Sequence, residues 1–239
     1  MTSRDKRFTK ASQHSDAELE WVWAYQESLR WLDAFDAWFI KVARGQAIEA
    51  ADWQSFMTEY QLKQGPATNA FREFRVAALA IVRGKLRNLK RAQNYCEIAP
   101  LWIECVQEFY EFVQSEGGEH IPQFAYSHFS KLIWFHAPQA CGMFDRLAKV
   151  GLRRWLNPNE QRRPQMSHTA FAECFEQFHE QSLDRGRIEF AASYSNRTYP
   201  YERRITDKVL WLNGSGKKAQ ILGRFKRGLM LADIERRAT

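Results

Sequence analysis

Hydrophobic positions recur along most of the chain at intervals of three and four residues, which is the spacing of one face of an α-helix. At the start of the first such run, Ser15 and Glu18 form a capping-box pattern, in which each side chain can accept the backbone N–H of the other residue. The run then continues through Trp21, Tyr25, Leu29, Leu32, Phe35 and Phe39. We therefore expect a long amphipathic helix that begins near Ser15.

The same spacing predicts helices along the rest of the chain. Pro100 is expected in the first turn of one of them, where proline is tolerated, and Ser167 is expected to cap another. The predicted helices cover about residues 52–62, 69–89, 100–117, 145–155, 167–183, 203–212 and 217–236, with one more around Lys131 that ends near Pro138. We expect no β-sheet. The pattern predicts an all-α fold over residues 1–239, a single domain of two helical lobes with a cleft near residues 124–157.

Composition and charge limit which kinds of protein and which kinds of binding partner fit the sequence. Of the 239 residues, 45% are hydrophobic and 14% are aromatic, which is enough for a sizeable core and excludes a disordered tail. The 35 lysines and arginines exceed the 28 acidic residues, and the formal net charge is +7. An excess of positive charge favours polyanionic partners such as nucleic acid.

Cysteine spacing and hydropathy bear on metals, cofactors and membranes. The four cysteines have neither the close pairing of a zinc site nor the density of a disulfide scaffold, so we expect reduced thiols in the core and no metal. The first residues lack the apolar stretch of a signal peptide, and no apolar run is long enough to span a bilayer. We expect a cytoplasmic monomer without a cofactor or a membrane contact.

Two charged residues stand out in the stretch SHFSKLIWFHAPQACGMFDRL. Lys131 lies in an otherwise apolar predicted helix, and burial there would favour the neutral amine, which is a nucleophile. The ordinary alternative is that its amine reaches water along its own stem. Asp145 stands at the start of the next predicted helix, where a carboxylate caps backbone N–H groups. A capping carboxylate is also fixed in position, so that alternative is compatible with a catalytic role.

The segment FSKLIWFHAPQACGMFDRLAKVGL, residues 129–152, resembles bacterial 8-oxoguanine-glycosylase-like proteins of the helix-hairpin-helix DNA glycosylase superfamily. The resemblance covers a tenth of the chain. It implies a two-lobed helical fold in which Lys131 is the catalytic lysine and Asp145 the catalytic aspartate, facing a base that is flipped out of DNA. No clear Gly-Val-Gly hairpin precedes the lysine, and QSEGGEHIPQ is the candidate for a degenerate hairpin. Some relatives act on phage DNA that carries bulky modified cytosines.

A flipped base needs a pocket with aromatic walls, because the target bond cannot be reached inside the base stack. The candidates for these walls are Trp134, Phe135, His136 and Phe144. Each of them has an ordinary alternative as a core residue. The expected substrate is an oxidised purine or a bulky modified cytosine, and strand cleavage by the lysine can follow base release.

Three segments combine cations with aromatic or glycine residues and are predicted to bind DNA. In SYSNRTYPYERR, Arg197 can bind phosphate and Tyr199 can stack or donate a hydrogen bond. RRWLNPNEQRR contributes Arg153 and Arg154, and GSGKKAQILGRFKRG contributes Lys217 near a predicted helix start. The alternatives are a loop packed by its own tyrosines and a solvated basic face.

Two functions remain open from the sequence. The first is a DNA glycosylase that excises a modified base, with or without lyase activity. The second is a nucleic-acid-binding protein without enzymatic activity, in which Lys131 contacts phosphate and Asp145 only caps a helix. Covalent chemistry separates them, because a binding protein forms no trapped adduct with DNA.

Overall fold

The computed structural model describes residues 14–44, 49–60, 62, 66–117, 125–157 and 166–238. All regular secondary structure in these ranges is helical, so the all-α prediction is confirmed for them. The helices are α1 (Asp16–Trp31), α2 (Ala37–Arg44), α3 (Ala50–Glu59), α4 (Pro66–Glu73), α5 (Arg75–Gly84), α6 (Leu86–Arg91), α7 (Tyr95–Ser115), α8 (Ala125–His136), α9 (Arg146–Leu156), α10 (His168–Asp184), α11 (Arg187–Ala192), α12 (Glu202–Gly214) and α13 (Lys218–Ala238). A π-helical turn, Leu32–Asp36, joins α1 to α2.

The chain divides into two compact units. The first unit comprises Met1–Arg30, Arg146–Pro164 and Gln177–Thr239, and the second comprises Trp31–Asp145 and Gln165–Glu176. Both predicted catalytic residues, Lys131 and Asp145, belong to the second unit. The interlobe cleft of the sequence analysis stays a prediction.

The first unit is built around the packing of α9 against α12. Two glycines permit the close approach of these helices. A Cβ atom on Gly151 would lie 1.9 Å from the carbonyl oxygen of Leu210, and a Cβ atom on Gly214 would lie 1.8 Å from that of Leu147. Any side chain at either position would therefore meet the backbone of the opposite helix.

Helix α12 also carries buried charge into the first unit. Arg204 and Asp207 form an ion pair, and they are only 4% and 2% exposed. Thr206 lies between them and shares a hydrogen bond of 2.8 Å with Nδ1 of buried His179 on α10. Burial and the nearby positive charge of Arg203 lower the pKa of His179 from 6.5 to about 4.

The core of the second unit forms around α8. This helix packs against α2, α4, α5, α6 and α7, which explains why it is apolar on nearly every side. At its C-terminal half, Phe135 contacts the rings of Phe39, Phe56 and Tyr60, with centroids 5.5 to 5.8 Å apart. The Tyr60 hydroxyl donates to Asp36 in the π-helical turn.

Several predicted helix boundaries are confirmed. The Glu18 N–H donates to Ser15 Oγ at 3.3 Å and the Ser15 N–H donates to Glu18 Oε2 at 2.8 Å, which is the predicted capping box. Ser167 caps α10, because its Oγ accepts the N–H of Ala170 at 3.1 Å. The helix around Lys131 ends at His136, and the next begins directly after Asp145.

The predicted start of the fourth helix at Pro100 is wrong. Helix α7 begins five residues earlier, at Tyr95, and Pro100 lies inside it. The Asn94 side chain accepts the N–H of Glu97 at 3.0 Å, and the Glu97 carboxylate accepts the N–H of Gln93 at 3.0 Å. This Asn-x-x-Glu cap fixes the helix start and places the exposed Pro100 in the second turn.

The predicted single helix over residues 69–89 is also wrong, because the structure divides it into α4, α5 and α6. The breaks fall at Phe74 and Lys85, and both residues contact α7. Phe74 packs edge-on against Phe112, and Lys85 forms ion pairs with Glu104 and Glu108. The short helix α11 was not predicted at all.

The cysteine prediction holds in part. All four cysteines are free thiols, and Cys105 and Cys141 are buried as expected. Burial raises the pKa of the Cys105 thiol to about 12. Cys96 is exposed, which corrects the expectation of core thiols throughout. Most of the proposed hairpin equivalent, from Gly118 onwards, lies outside the described residues.

We expect Gly151→Ala and Gly214→Ala each to lower the free energy of unfolding by about 3 kcal/mol, because the added methyl group overlaps a backbone carbonyl. Chemical denaturation measures the effect. Gly84→Ala is the matched control, since Gly84 also lies in a helix but a Cβ there meets nothing within 4 Å. It should be neutral or raise stability by up to about 1 kcal/mol. Equal effects of the three variants would contradict the close approach of α9 and α12.

The lowered pKa of His179 predicts a pH dependence of stability. Above pH 6.5 both the folded and the unfolded chain hold the neutral imidazole, whereas between pH 6.5 and about 4 only the unfolded chain takes up the proton. Stability should therefore fall by about 3 kcal/mol as pH falls through this window, and this contribution should level off below it. The difference between wild type and His179→Gln, measured by denaturation at each pH, isolates the effect. If the free energy of unfolding of the two proteins changed in parallel with pH, His179 would not be the source of this pH dependence.

Candidate active site

Lys131 is buried in the middle of α8, at 6% exposure. Side chains on a helix point towards its N-terminus, and the Lys131 side chain follows this rule back to the preceding turn. Its amine donates to Ser127 Oγ at 2.8 Å and to the Ser127 carbonyl oxygen at 3.3 Å. The amine is therefore held by oxygen acceptors in the preceding turn of its own helix.

Asp145 lies at the end of the segment that connects α8 to α9, and it is partly exposed. A buried hydroxyl ties this segment to α8. Ser130 Oγ lies 2.9 Å from the Ser127 carbonyl oxygen and 3.2 Å from the Phe144 carbonyl oxygen, and both acceptors compete for its one proton. Ser130 and Phe144 are the immediate neighbours of Lys131 and Asp145. The bond between them therefore ties the backbone just before Asp145 to the helix that carries Lys131.

The four predicted pocket residues are all part of the packed core. Trp134, Phe135, His136 and Phe144 are between 0% and 5% exposed. Phe144 contacts the rings of Trp102 and Phe171, with centroids 4.7 and 4.9 Å apart. This burial is what the ordinary core alternative expects. A contact between these residues and a flipped base stays a prediction.

A more accessible aromatic pair lies beside Phe144, and the sequence analysis missed it. Tyr126 and His168 stack with ring centroids 3.7 Å apart and an interplanar angle of 13°, and both residues are partly exposed. Trp102 Nε1 donates to the Tyr126 carbonyl oxygen at 2.8 Å, and the Phe144 ring lies 5.0 Å from that of His168. The sequence offered one indication of this pair. Tyr126 directly precedes Ser127, and His168 directly follows the predicted helix cap Ser167.

The predicted DNA-binding residues Arg197 and Tyr199 belong to the first unit. Tyr199 is 4% exposed and its N–H donates to the Tyr25 hydroxyl at 2.9 Å, while that hydroxyl donates to the Arg197 carbonyl oxygen at 3.0 Å. Tyr25 therefore fixes the backbone of this loop. The Arg197 side chain is exposed, whereas the Tyr199 ring is packed.

The other predicted DNA-binding residues also lie in the first unit. Arg153 is partly buried on α9, and the exposed Arg154 donates to the Asn213 carbonyl oxygen on α12. Lys217 is exposed just before α13, and its N–H donates to Ser215 Oγ at 3.0 Å. Arg162 lies outside the described ranges.

Among the described residues, no group of three or more His, Cys, Asp or Glu side chains could hold a metal ion. The helices of the described ranges include none that combines the length and the apolar character needed to cross a bilayer.

A comparison with protein-family models, with curated proteins and with solved structures gives no match to this chain.

Ser130→Ala should lower the free energy of unfolding by about 1 to 3 kcal/mol, because it leaves the buried Phe144 carbonyl oxygen without its hydroxyl donor. Ser115→Ala is the matched control. Ser115 Oγ makes the same type of local bond, to the Phe112 carbonyl oxygen at 2.7 Å, but on an exposed surface. We expect a change within about 0.5 kcal/mol there. Denaturation of both variants tests whether the bond to the segment before Asp145 is a stabilising contact of the second unit.

Proposed function

We propose that the chain is a DNA glycosylase that excises a modified base with Lys131 and Asp145. The observation that carries the proposal is the buried amine of Lys131, held at 2.8 Å by Ser127 Oγ on an apolar helix. Burying a lysine side chain carries a free-energy cost, which a lysine that serves only as a surface charge avoids by staying in water. The resemblance of residues 129–152 to helix-hairpin-helix glycosylases assigns this lysine the role of nucleophile.

In this reaction the neutral Lys131 amine attacks C1′ of the deoxyribose. The N-glycosidic bond breaks, its electron pair leaves with the base, and the base takes up a proton. Opening of the sugar ring then gives an imine between Lys131 and C1′. Water hydrolyses the imine and restores the amine, or elimination at the 3′ phosphate cleaves the strand first.

Asp145 supplies negative charge in this scheme. Positive charge develops on the sugar as the glycosidic bond breaks, and a fixed carboxylate stabilises that transition state more than the ground state. Asp145 suits the role because it directly precedes α9 and because Ser130 bonds the backbone of its neighbour Phe144. It is also partly exposed, so a substrate can approach it.

The substrate we propose is DNA with an oxidised purine or a bulky modified cytosine. The net charge of +7 favours binding to the phosphate backbone. The partly exposed rings of Tyr126 and His168, which stack beside Phe144, add aromatic residues near the candidate site that suit contact with an extruded base.

A second candidate function is DNA binding without catalysis. One specific observation favours it, namely that none of Trp134, Phe135, His136 and Phe144 exceeds 5% exposure. A base could contact these residues only after the surrounding side chains had moved. In this alternative Lys131 is a structural residue and Asp145 a helix-terminal carboxylate.

Asp145→Asn separates the two candidates. The amide preserves the shape and the capping ability of the side chain but removes its charge, so base release should fall about 100-fold or more while DNA affinity is retained. The measurement is alkali-labile site formation under single-turnover conditions, on oligonucleotides and phage DNAs that carry different modified bases. Asp52→Asn is the matched control, because Asp52 is also a partly exposed aspartate at the N-terminal end of a helix.

Borohydride trapping tests Lys131 in the same assay. Borohydride reduces the imine to a stable amine, so wild type and Lys41→Gln should be trapped on substrate DNA and Lys131→Gln should not. If wild type releases base but is not trapped, Lys131 is not the nucleophile and acts by positioning a water molecule. Normal base release by Asp145→Asn would contradict the assignment of this site.

A further inference from the structure

Helix α6 presents a cationic face that the predicted DNA-binding residues do not include. Its sequence is LRNLKR, and Leu89 is fully buried while Arg87, Lys90 and Arg91 are exposed. Residues three and four positions apart lie on the same side of a helix, so the three cations share one face. The helix contains no acidic residue, and the face carries three positive charges within about one turn.

These charges are not neutralised by the part of the protein that the structure describes. Lys85, directly before α6, forms ion pairs with Glu104 at 2.9 Å and Glu108 at 2.7 Å. Within the described residues, no ion pair engages the three cations of α6 itself. The carboxylate of Glu97, the next acidic residue along the chain, accepts the N–H of Gln93 at 3.0 Å and the side-chain amide of Asn94 at 3.1 Å.

The position of α6 relates this face to the candidate active site. Leu89 anchors the helix in the core, and α6 packs against α8, the helix of Lys131. Both helices lie in the second unit. A polyanion bound to α6 would therefore be bound to the same compact unit as the reactive amine.

The composition of the face distinguishes nucleic acid from membrane. Helices that bind a membrane surface combine cations with exposed apolar residues that enter the lipid. The exposed residues of α6 are Arg87, Asn88, Lys90 and Arg91, all of them polar, and its two leucines are buried or partly buried. A face of this kind suits a chain of phosphates and offers nothing to acyl chains.

We propose that Arg87, Lys90 and Arg91 form a docking surface for the phosphate backbone of DNA, which holds the substrate strand on the unit that contains Lys131. The proposal rests on the proposed function for its substrate, but binding of DNA to this surface can be measured without catalysis.

The experiment compares two triple variants of the full chain. One carries Arg87→Gln, Lys90→Gln and Arg91→Gln, and the control carries Lys41→Gln, Arg72→Gln and Arg185→Gln, which removes three exposed positive charges from positions outside α6. Affinity for an unmodified duplex is measured over a series of salt concentrations. The slope of log affinity against log salt should be shallower in the α6 variant by about 0.9 for each phosphate that the variant no longer neutralises. Its affinity at low salt should fall at least about tenfold, and the control should keep the wild-type slope.

Several outcomes would overturn the proposal. One is equal slopes in the two triple variants. Another is wild-type DNA binding by the α6 variant together with a loss of binding to phosphatidylserine vesicles, which would assign the face to a membrane. The altered side chains are exposed, so an unchanged melting temperature checks that the variant is folded.

Failure of the glycosylase proposal gives a different result. If wild type releases no base from any substrate while the α6 variant still shows the shallower salt slope, the enzyme assignment fails and the docking surface stands. If base release at saturating DNA is normal and the salt slope is unchanged, the docking surface fails and the glycosylase stands.

Discussion

The second unit depends on the burial of α8 by the helices packed around it. Five helices contact α8, and most of its side chains are withdrawn from water. In such a helix every polar group needs a partner, because an unpaired polar group in the core costs several kcal/mol. Ser127, Ser130 and Lys131 satisfy this constraint by bonding one another and the Phe144 carbonyl oxygen. The polar cluster thereby fixes a lysine amine and the segment before Asp145.

The same burial limits what the aromatic residues can do. Phe135 contacts the rings of Phe39, Phe56 and Tyr60. A ring in such a packed cluster cannot contact a ligand unless its neighbours move. Tyr126 and His168, which stack on each other beside Phe144, are instead only partly buried. The degree of burial thus differs between aromatic residues of the same unit.

The sequence predicted helices well where the signal was local. The Ser15 and Ser167 caps and the ends of the helix around Lys131 follow from short-range hydrogen bonding and periodicity. It failed over residues 69–89, where the helix breaks at Lys85, a residue whose side chain forms ion pairs with Glu104 and Glu108 on the distant helix α7. The sequence indicated which residues could form the candidate site, but not how their side chains are arranged. Periodicity does not show that the Lys131 amine bonds to Ser127 in the preceding turn, or that the four predicted pocket residues are buried in the core.

The cations of residues 72–91 show how folding assigns different roles to residues that look alike in sequence. In the sequence these cations lie in or directly after the predicted helix over residues 69–89, and nothing there distinguishes one positive charge from another as a contact for a polyanion. The break at Lys85 separates them, since Lys85 is neutralised by two glutamates of α7 while Arg87, Lys90 and Arg91 remain exposed on α6. Net charge therefore measures the general attraction for DNA, whereas the positions of the exposed cations determine where a strand can lie. A docking surface on the helix that packs against α8 would convert that general attraction into binding beside the buried amine.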